Sequence, residues 1–250
     1  MKNLSIYYKQ LFQQLKIIKG DSVVVHSNLS TFGFNSSNLA KIIIKELKKS
    51  VGLNGTIIMP LYTFGKNSTH IFDKDQIYKN EYISLLSKVF FKEKNIIRSN
   101  CPIHSHIGMG KKSNILLKSN PKNTYGYNSD FYLMRLNNFK LLLLGCSAQE
   151  GATYFHQIEA MKNLSYGKWI SFKRKIKVKK EIKELKINFF EKKLKHNLNK
   201  SFNLISKKSK TFISIKNKYY KSSVIDLNEL DSITSLELKK NPFFLVKYAK

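Results

Sequence analysis

The chain has 250 residues, of which 45 are basic and 16 acidic, and its formal net charge at pH 7 is +29. A chain of this length can bury most of its surface in one large domain, and no apolar run approaches the roughly 20 residues needed to cross a bilayer. These properties exclude a helical membrane span and favour a single soluble domain over residues 1–250.

The basic excess raises the hypothesis of nucleic-acid binding, because positive charge attracts phosphates at long range. Only three of the 45 basic residues are Arg, however, and recognition of bases and phosphates favours the forked Arg guanidinium. Basic and aromatic residues are interleaved only diffusely, as at Lys218-Tyr219-Tyr220-Lys221, without an RNA-binding signature. We therefore expect no specific nucleic-acid partner, although the lysine-rich surface should attract anions and repel polycations.

The two cysteines, Cys101 and Cys146, lack the spacing of metal ligands, and no apolar targeting segment begins the chain. A reducing compartment fits this pattern best. The expected location is therefore the cytoplasm.

The first part of the chain alternates predicted helices with predicted strands. Apolar residues at every third or fourth position predict helices, and runs of β-branched residues predict strands. Gly20 ends the first helix, and the Asn54-Gly55 turn begins the second strand. The predicted elements are a helix over 5–18, a strand over 22–27, a helix over 37–49, a strand over 56–64 and a helix over 82–92.

A loop rich in polar and turn-forming residues follows the first predicted strand. It contains His26, Ser27, Asn28, Ser30 and Gly33, and groups of this kind can bind a phosphate or an amide. Turn formation alone also explains most of these residue types. The sequence leaves both interpretations open at this loop.

The segment 98–112 contains two His, two Ser and two Gly in fifteen positions. Together with residues elsewhere it offers several side chains of the kind that bind zinc. No strong motif such as His-Glu-x-x-His is present, so we expect no metal. The side chains considered as ligands are those of His26, His104, His106, His156 and Glu159.

The apolar run 139–144 predicts a strand that is buried on both faces and ends at Gly145. A helix is predicted after Thr153, which puts His156 and Glu159 one turn apart, near the sheet edge where open α/β folds bind ligands. An imidazole titrates near neutrality and a nearby carboxylate can fix its tautomer, so the pair is a candidate base with an orienting group. The alternatives are a solvated ion pair, and helix N-capping as the only role of Thr153.

The last part of the chain is rich in lysine and is expected to complete the same domain. Alternation of Lys with Ile, Val or Leu predicts exposed strands with one apolar face. Asp226 and Glu229 have the spacing of a capping box for a last helix, which ends before Pro242. The elements predicted before this helix are strands within 171–187, a helix over 190–205, and short strands over 211–216 and 219–225.

Five motifs follow one another within residues 1–163. They are VVVHSNLSTFG at 23–33, GTIIMPLYTF at 55–64, Pro102-x-His104-Ser105 with Gly110, Tyr125-Gly-Tyr-Asn-Ser129, and LLLLGCSAQEGATYFHQIE at 141–159. In this order they resemble the aminoglycoside 3-N-acetyltransferase family, which has the antibiotic N-acetyltransferase fold and is distinct from the GNAT acetyltransferases. That family carries a Thr-x-x-His-x-x-Glu pattern, which is Thr153, His156 and Glu159 here. The tail resembles the family only loosely.

The resemblance implies an α/β fold with three α/β/α layers around a central mixed sheet. It also implies transfer of an acetyl group from acetyl-CoA to a small-molecule amine. A protonated amine cannot attack a thioester, so a base must take its proton. The base is predicted to be His156, oriented by Glu159, while Thr153 supplies a hydroxyl to the thioester oxygen or the pantetheine amides.

Acetyl-CoA needs hydrogen-bond donors for its phosphates and an apolar slot for its pantetheine arm. Gly108 and Gly110 would let backbone amides approach a phosphate, and Lys111 would add charge. An ordinary tight turn is the alternative for these glycines. The predicted cofactor-binding residues are His26, Ser27, Asn28, Leu29, Ser30, Pro102, His104, Ser105, Gly110 and Ser129.

The expected acceptor is an amino sugar that is nucleotide-linked or destined for a surface polysaccharide, because a basic field repels a polycationic aminoglycoside. Aminoglycoside resistance is the alternative, and a non-catalytic basic binder of nucleic acid or acidic polysaccharide is the second. A homodimer is also among the expected assemblies. Carboxylates lining the cleft would reverse the local field, and the candidates are Asp73, Asp75, Glu81, Asp130 and Glu150.

Overall fold

The protein is represented by a computed structural model that describes residues 2–33, 36–63, 70–78 and 83–247. Its helices are α1 (Lys2–Gln14), α2 (Ser37–Val51), α3 (Leu85–Phe90), α4 (Ile115–Lys118), α5 (Asp130–Leu136), α6 (Ala148–Gly151), α7 (Tyr154–Lys162), α8 (Leu198–Ser206) and α9 (Leu227–Lys240). Its strands are β1 (Ser22–Ser27), β2 (Thr56–Pro60), β3 (Ile97–Arg98), β4 (His106–Gly110), β5 (Lys140–Leu144), β6 (Gly167–Val178), β7 (Glu181–Lys192), β8 (Ile213–Lys216) and β9 (Lys221–Asp226).

Seven strands form one mixed sheet in the order β3-β4-β2-β1-β5-β9-β8. The central strand β1 pairs in parallel with β2 on one side and with β5 on the other. The outer pairings are antiparallel, and β6 and β7 form a separate two-stranded ribbon. The chain therefore leaves β1 for one side of the sheet and later returns on the other, which is the topology that opens a crevice beside the central strand.

The sheet separates two apolar cores. Val24 of β1 packs into one core, while Val23 and Val25 pack into the other, because successive side chains of a strand point to opposite faces. Helices α1, α2 and α3 cover one face, and α5, α7, α8 and α9 cover the other. The predicted three-layer α/β/α class with a mixed central sheet is thus confirmed.

The largest difference between predicted and observed helix ends in the first half is at the end of α1, while α2 ends at Val51 instead of 49 and α3 ends at Phe90 instead of 92. The first helix was predicted to continue to Ile18, but α1 ends at Gln14, and Lys16 has a positive φ of 51°. Leu15 is buried, but Ile18, the last residue of the predicted apolar stripe, is 62% exposed, and Ile17 is buried in its place. The loop after α1 therefore packs on the core without continuing the helical spacing. Strand β2 ends at Pro60, before the predicted end at 64, which lies outside the described residues.

Two predictions for the second half are wrong. Residues 190–197 are not helical, because Phe190 belongs to β7 and is buried against Gly167 of β6, where an added Cβ would lie 2.4 Å from the Phe190 ring. The helix begins only at Leu198. The capping box at Asp226 is also absent: Asp226 makes no side-chain cap, and Glu229 accepts hydrogen bonds from Ser209 and Thr211.

The remaining strand predictions in the second half are confirmed, since the β6–β7 ribbon covers 171–187 and β8 and β9 join the central sheet. The last helix ends before Pro242, as predicted. Among the described residues, no helix is both long enough and apolar enough to cross a bilayer.

Candidate active site

The carboxyl ends of the three parallel strands meet at one edge of the sheet. Ser27, Pro60 and Leu144 end β1, β2 and β5 there, and the loops that follow enclose a cavity of about 550 Å³. This volume lies in the range of ordinary ligand sites. We call it the edge cavity, and its lining includes His26, Ser27, Asn28, Leu29, Ser30, Tyr62, Ser84, Cys146, Glu150 and Thr153.

Helix α7 begins beside the edge cavity and carries His156 and Glu159 one turn apart. The Nδ1 atom of His156 lies 2.8 Å from Oε2 of Glu159. The Glu159 side chain has no exposed surface, whereas 20% of the His156 side chain remains exposed. The predicted pair therefore exists as a buried carboxylate that orients a partly accessible imidazole.

Glu159 is also bound by three further side chains. Its Oε1 atom accepts a 2.7 Å hydrogen bond from the Tyr166 hydroxyl and lies 2.8 Å from Nε2 of His196. The ammonium of Lys192 lies 3.4 Å from Oε2. All of these partners come from the chain after α7, so the lysine-rich part completes the surroundings of the predicted catalytic pair.

Burial lowers the pKa of His156 to about 4, and the positive charge of Lys192 acts in the same direction. The imidazole is therefore neutral at pH 7. Since the ionised Glu159 accepts a hydrogen bond from Nδ1, the lone pair resides on Nε2, for which no partner exists among the described residues. A neutral imidazole with a free Nε2 lone pair is the form that acts as a general base.

The ionisation of Glu159 depends on its neighbours. Burial alone would raise the pKa of this carboxyl, but hydrogen bonds from His156 and His196 and the charge of Lys192 hold it well below its usual value. Burial in turn lowers the pKa of Lys192 to about 8, against the opposing attraction of Glu159. The Glu159 carboxylate and the Lys192 ammonium thus each favour the charged form of the other in a largely buried site.

Glu159, His156 and His196 bring three possible ligand atoms within 4.8 Å of one another. Both oxygens of Glu159 are already hydrogen-bonded, and the Lys192 ammonium beside them would repel a dication. Among the described residues, the side chains of this cluster are arranged as hydrogen-bond partners of one carboxylate. The expectation of no metal remains a prediction.

Thr153 precedes α7 and lines the edge cavity, but its side chain does not cap the helix. Its hydroxyl lies close enough to Tyr62 to lower the pKa of that phenol against the larger effect of burial. The Tyr62 hydroxyl lies 3.3 Å from Nε2 of His106, and Nδ1 of His106 lies 2.8 Å from Oδ2 of Asp130. A chain of buried polar groups thus extends from the core of the protein to the Thr153 hydroxyl.

The predicted cofactor loop lines the edge cavity with all five of its residues. The Ser27 hydroxyl donates to Ser84 over 3.1 Å, and the Asn28 amide donates to Glu150 over 3.1 Å. His26 and Leu29 are buried, whereas Ser30 is exposed. The structure therefore brings His26, Ser27, Asn28, Leu29 and Ser30 together with Thr153.

Other predicted cofactor residues have structural contacts instead. The Ser105 hydroxyl donates to the carbonyl of Leu61 over 2.6 Å and accepts from the Arg98 guanidinium. The Pro102 carbonyl accepts from the Thr63 hydroxyl over 2.7 Å. These two residues hydrogen-bond to the loop after β2 and do not line the edge cavity.

His104 and Ser129 are likewise buried. The Nε2 atom of His104 lies 3.4 Å from the Tyr125 hydroxyl, and the His104 ring stands edge-on to Tyr62 at 4.7 Å. The Ser129 hydroxyl caps α5 and donates to the carbonyl of Gly126. His104 therefore packs among aromatic rings next to the site, and Ser129 has the contacts of a helix cap.

Gly110 lies at the far end of the sheet from the edge cavity. It pairs with Thr56, the first residue of β2, whereas Pro60 at the other end of β2 lines the cavity. Its φ is +107°, and an added Cβ would lie 2.2 Å from the carbonyl oxygen of Gly55. The glycine is explained by this close approach of two backbones, and the neighbouring Lys111 donates its backbone N–H to the same Gly55 carbonyl.

The candidate acidic residues do not form an acidic cleft in the described part of the chain. Asp73 pairs with Lys177, and Asp130 is buried against His106. Glu150 lines the edge cavity but is bound by Asn28 and Ser147. Asp75 is exposed, and Glu81 lies outside the described residues.

Several residues of this site were not predicted from the sequence. His196 and Lys192 are more than thirty positions beyond Glu159 and belong to no local motif, so only the fold brings them to it. Tyr62 and Tyr125 lie within two of the recognised motifs. An aromatic residue that follows directly on a buried strand was the available signal for Tyr62.

The chain is similar to several known proteins. A family model described as aminoglycoside 3-N-acetyltransferase matches residues 24–238. The YokD protein of Bacillus subtilis is 20% identical with a TM-score of 0.80, and the match covers 95% of this chain and 99% of that one. A mutant of aminoglycoside acetyltransferase AAC(3)-IVa in complex with gentamicin is 17% identical with a TM-score of 0.81, covering 98% and 91%. No curated protein sequence gives a significant match.

A third solved structure, AAC-IIIb with CoASH, is 15% identical with a TM-score of 0.78, and the match covers 98% of each chain. At these identities the structural likeness establishes the fold. The family model covers most of the sequence, confirms the predicted acyltransferase class and leaves a purely non-catalytic binder without support. The chain belongs to the aminoglycoside 3-N-acetyltransferase family.

Proposed function

We propose that the protein transfers the acetyl group of acetyl-CoA to an amino group of an aminoglycoside-type sugar, with His156 as the general base. The observation that carries this proposal is the neutral imidazole of His156, held through Nδ1 by Glu159 and open at Nε2. A base in this state can take a proton at neutral pH without first losing one of its own.

In this mechanism Nε2 of His156 accepts the proton of the amine as the amine nitrogen bonds to the thioester carbon. The resulting imidazolium is stabilised by the carboxylate of Glu159, 2.8 Å away. The carbon–sulfur bond then breaks, and the proton on His156 can pass to the departing thiolate. The proton balance of the transfer is complete without any other acid.

Thr153 is proposed to donate its hydroxyl to the thioester oxygen or to a pantetheine amide. It lines the edge cavity one helical turn before His156, and it lies beside the Tyr62 hydroxyl. A donor placed before the reaction costs no reorganisation when charge develops on the thioester oxygen.

The edge cavity is the proposed site for the pantetheine arm of acetyl-CoA. Its volume of about 550 Å³ and its loop of His26 to Ser30 fit a ligand with both amide and apolar groups. Cys146 also lines this cavity, but burial raises the pKa of its thiol above the usual range. A protonated thiol is a poor nucleophile, which favours direct transfer over an acyl-cysteine intermediate.

The family supports an aminoglycoside as acceptor, because its model carries that description and AAC(3)-IVa has been solved with gentamicin. One observation favours a nucleotide-linked amino sugar as the second candidate. The net charge is +29, and Asp73, Asp130 and Glu150 are all engaged by neighbouring groups. A positive field would attract an anionic acceptor and repel a polycation.

The deciding experiment measures thiol release from acetyl-CoA with gentamicin and with a nucleotide-linked amino sugar, each at low and moderate salt. We expect a higher kcat/KM for gentamicin, and a rate that rises with salt if surface lysines repel it. A preference for the nucleotide-linked sugar would replace the first candidate by the second. Absence of thiol release with either acceptor, from a protein that is folded, would remove both.

His156→Gln tests the role of His156 as the base, because glutamine has a similar size and polarity but cannot accept and return a proton. We expect kcat to fall by about 10²- to 10⁴-fold. His70, an exposed histidine, provides the control as His70→Gln, for which activity should not change. A His156→Gln protein with activity within about tenfold of the parent would exclude His156 as the base.

A further inference from the structure

A second pocket lies directly beside the edge cavity and is lined by aromatic rings. It has a volume of about 590 Å³. Ser30 lines both spaces, so the aromatic pocket continues the edge cavity on the side away from Thr153. We define this aromatic pocket by Tyr7, Phe32, Tyr219 and Tyr220.

The aromatic pocket joins three parts of the chain that are remote in sequence. Tyr7 belongs to α1, Phe32 to the short 3-10 helix after β1, and Tyr220 to the turn between β8 and β9. The rings of Phe32 and Tyr220 are 4.3 Å apart at an angle of 36°, and Tyr7 stands edge-on to Tyr220 at 6.5 Å. These contacts form an aromatic wall at the surface in which the rings are tilted against one another.

Tyr219 completes the wall and is held there although 74% of it is exposed. The side chain of Asn217 accepts the backbone N–H of both Tyr219 and Tyr220 over 2.9 Å. The Asn217 backbone N–H donates to the Tyr220 carbonyl over 3.0 Å. The turn is therefore locked by local hydrogen bonds, and an aromatic ring is presented to solvent where its own burial contributes little to folding.

Positive charge flanks the same turn. Lys218 is exposed and forms no ion pair with a described residue, and its ammonium lies 5.6 Å from the centre of the Tyr219 ring. The Lys221 ammonium instead lies 5.8 Å from the centre of the Phe212 ring, which packs against the core on the other face of the sheet. The pocket thus offers stacking surface for a planar ring with a cation for phosphates beside it, which is the combination that binds a nucleotide.

We infer that the aromatic pocket binds the adenine nucleotide end of CoA, with its ring against Tyr219 and Tyr220 and its phosphates near Lys218. This inference rests on the proposed function, since it extends the acetyl-CoA site along the cavity from Thr153 past Ser30. It gives a ligand-binding role to the Lys-Tyr-Tyr-Lys segment, whose composition alone indicated only diffuse affinity for anions.

The test compares acetyl-CoA with S-acetylpantetheine, which has the same reacting end and lacks the nucleotide. In Tyr219→Ala, and separately in Lys218→Ala, we expect KM for acetyl-CoA to rise about tenfold while kcat stays constant. KM for S-acetylpantetheine should be unchanged. Both residues are exposed at a turn, so their loss should leave the fold intact, and Tyr127→Ala is the matched control at an exposed tyrosine elsewhere.

A direct binding measurement uses adenosine 3′,5′-bisphosphate and calorimetry. The parent should bind this compound, and Tyr219→Ala should bind it about tenfold more weakly. If KM for acetyl-CoA stays within twofold of the parent in both variants, the nucleotide site is overturned and the proposed function stands. If no amine is acetylated but bisphosphate binding depends on Tyr219, the nucleotide site stands and the proposed function falls.

Discussion

Nδ1 of His156 and Oε2 of Glu159 are 2.8 Å apart, and the two residues differ sharply in exposure. The carboxylate is fully buried and fully hydrogen-bonded, so it cannot rotate away from the imidazole. The imidazole keeps one accessible nitrogen. This relationship determines what substitution, pH and neighbouring residues should do to the site.

Glu159→Gln should lower kcat by about 10²-fold or more, because the neutral amide no longer stabilises the imidazolium that His156 becomes. The same change leaves Lys192 without its carboxylate partner, which should destabilise the protein by up to about 3 kcal/mol. Steady-state kinetics and urea denaturation measure the two effects. Glu184→Gln is the control, since Glu184 is exposed and pairs with the exposed Lys173, and no resolvable change in kcat or stability is expected there.

The pH dependence of kcat/KM should lack the usual histidine inflection near pH 6.5. Burial lowers the pKa of His156 to about 4, so the base is already neutral above about pH 5. The fall in kcat/KM that protonation of His156 causes should therefore appear near pH 4. Any rise in kcat/KM between pH 6 and 9 should follow the pKa of the acceptor amine. Two acceptors with different amine pKa values separate these effects. An inflection near 6.5 that is common to both acceptors would contradict the assignment.

Acid should destabilise the protein below about pH 6.5. Burial lowers the pKa of His26 to about 3, with the charge of His106 adding to the effect, and burial also lowers the pKa of His104 and His156. These groups bind protons more readily in the unfolded chain, so the stability that they contribute is complete above pH 6.5 and is lost as the pH falls towards their folded pKa values. Urea midpoints at pH 7, 6 and 5 measure this loss.

His26→Gln isolates one of these contributions. Each fully buried histidine should steepen the fall in stability by about 1.4 kcal/mol per pH unit between pH 6 and 4. The slope for the His26→Gln variant should be smaller than that of the parent by this amount. Equal slopes would show that His26 is not a source of the acid sensitivity, and His70→Gln, at an exposed position, is the control.

Tyr62→Phe should lower kcat by about five- to tenfold without changing KM for the acceptor. The substitution removes the hydroxyl that interacts with Thr153 and leaves the ring between His104 and His106 in place. The net value of one hydrogen bond, about 1 kcal/mol, corresponds to this factor. A double-mutant cycle with Thr153→Val tests the connection: the two losses should not add if Tyr62 acts through Thr153, and full additivity would separate the residues.

The first half of the fold could be predicted because its signals are local. Strands β1 and β5 are buried on both faces and therefore form short continuous apolar runs, and the recognised motifs lie on the loops that follow them. The second half contains the errors. Phe190 lies in a segment with helical patterning, yet its packing against Gly167 in the ribbon outweighs that local preference.

The residues of the site also divide into those that a local sequence pattern predicts and those that only the fold brings together. The spacing of Thr153, His156 and Glu159 could be read from the sequence of one helix. Lys192, at the end of β7, and His196, just beyond it, reach Glu159 only through the return of the chain along the β6–β7 ribbon. No pattern within a short segment encodes such a contact. Gly110 illustrates an ambiguity of another kind, since a glycine required by two close backbones has the same appearance in a sequence as a glycine that contacts a phosphate.

Gly110→Ala separates those two explanations. The new methyl group would meet the Gly55 carbonyl at 2.2 Å, and the backbone at φ +107° is strained for any residue with a Cβ. We expect a loss of more than about 3 kcal/mol in the free energy of unfolding. Gly20→Ala is the matched control, because Gly20 also has a positive φ, +89°, but no heavy atom lies within 4 Å of the added Cβ.

Strain alone should cost Gly20→Ala about 1 kcal/mol. The calorimetric affinity for CoA should be the same in the parent and in both variants, measured at a temperature where all three are folded. We expect no change in CoA affinity because Gly110 pairs with Thr56 at the start of β2, while Pro60 at the other end of that strand lines the edge cavity. A selective loss of CoA affinity in Gly110→Ala would return this glycine to the cofactor site and would require CoA to extend to the opposite end of the sheet.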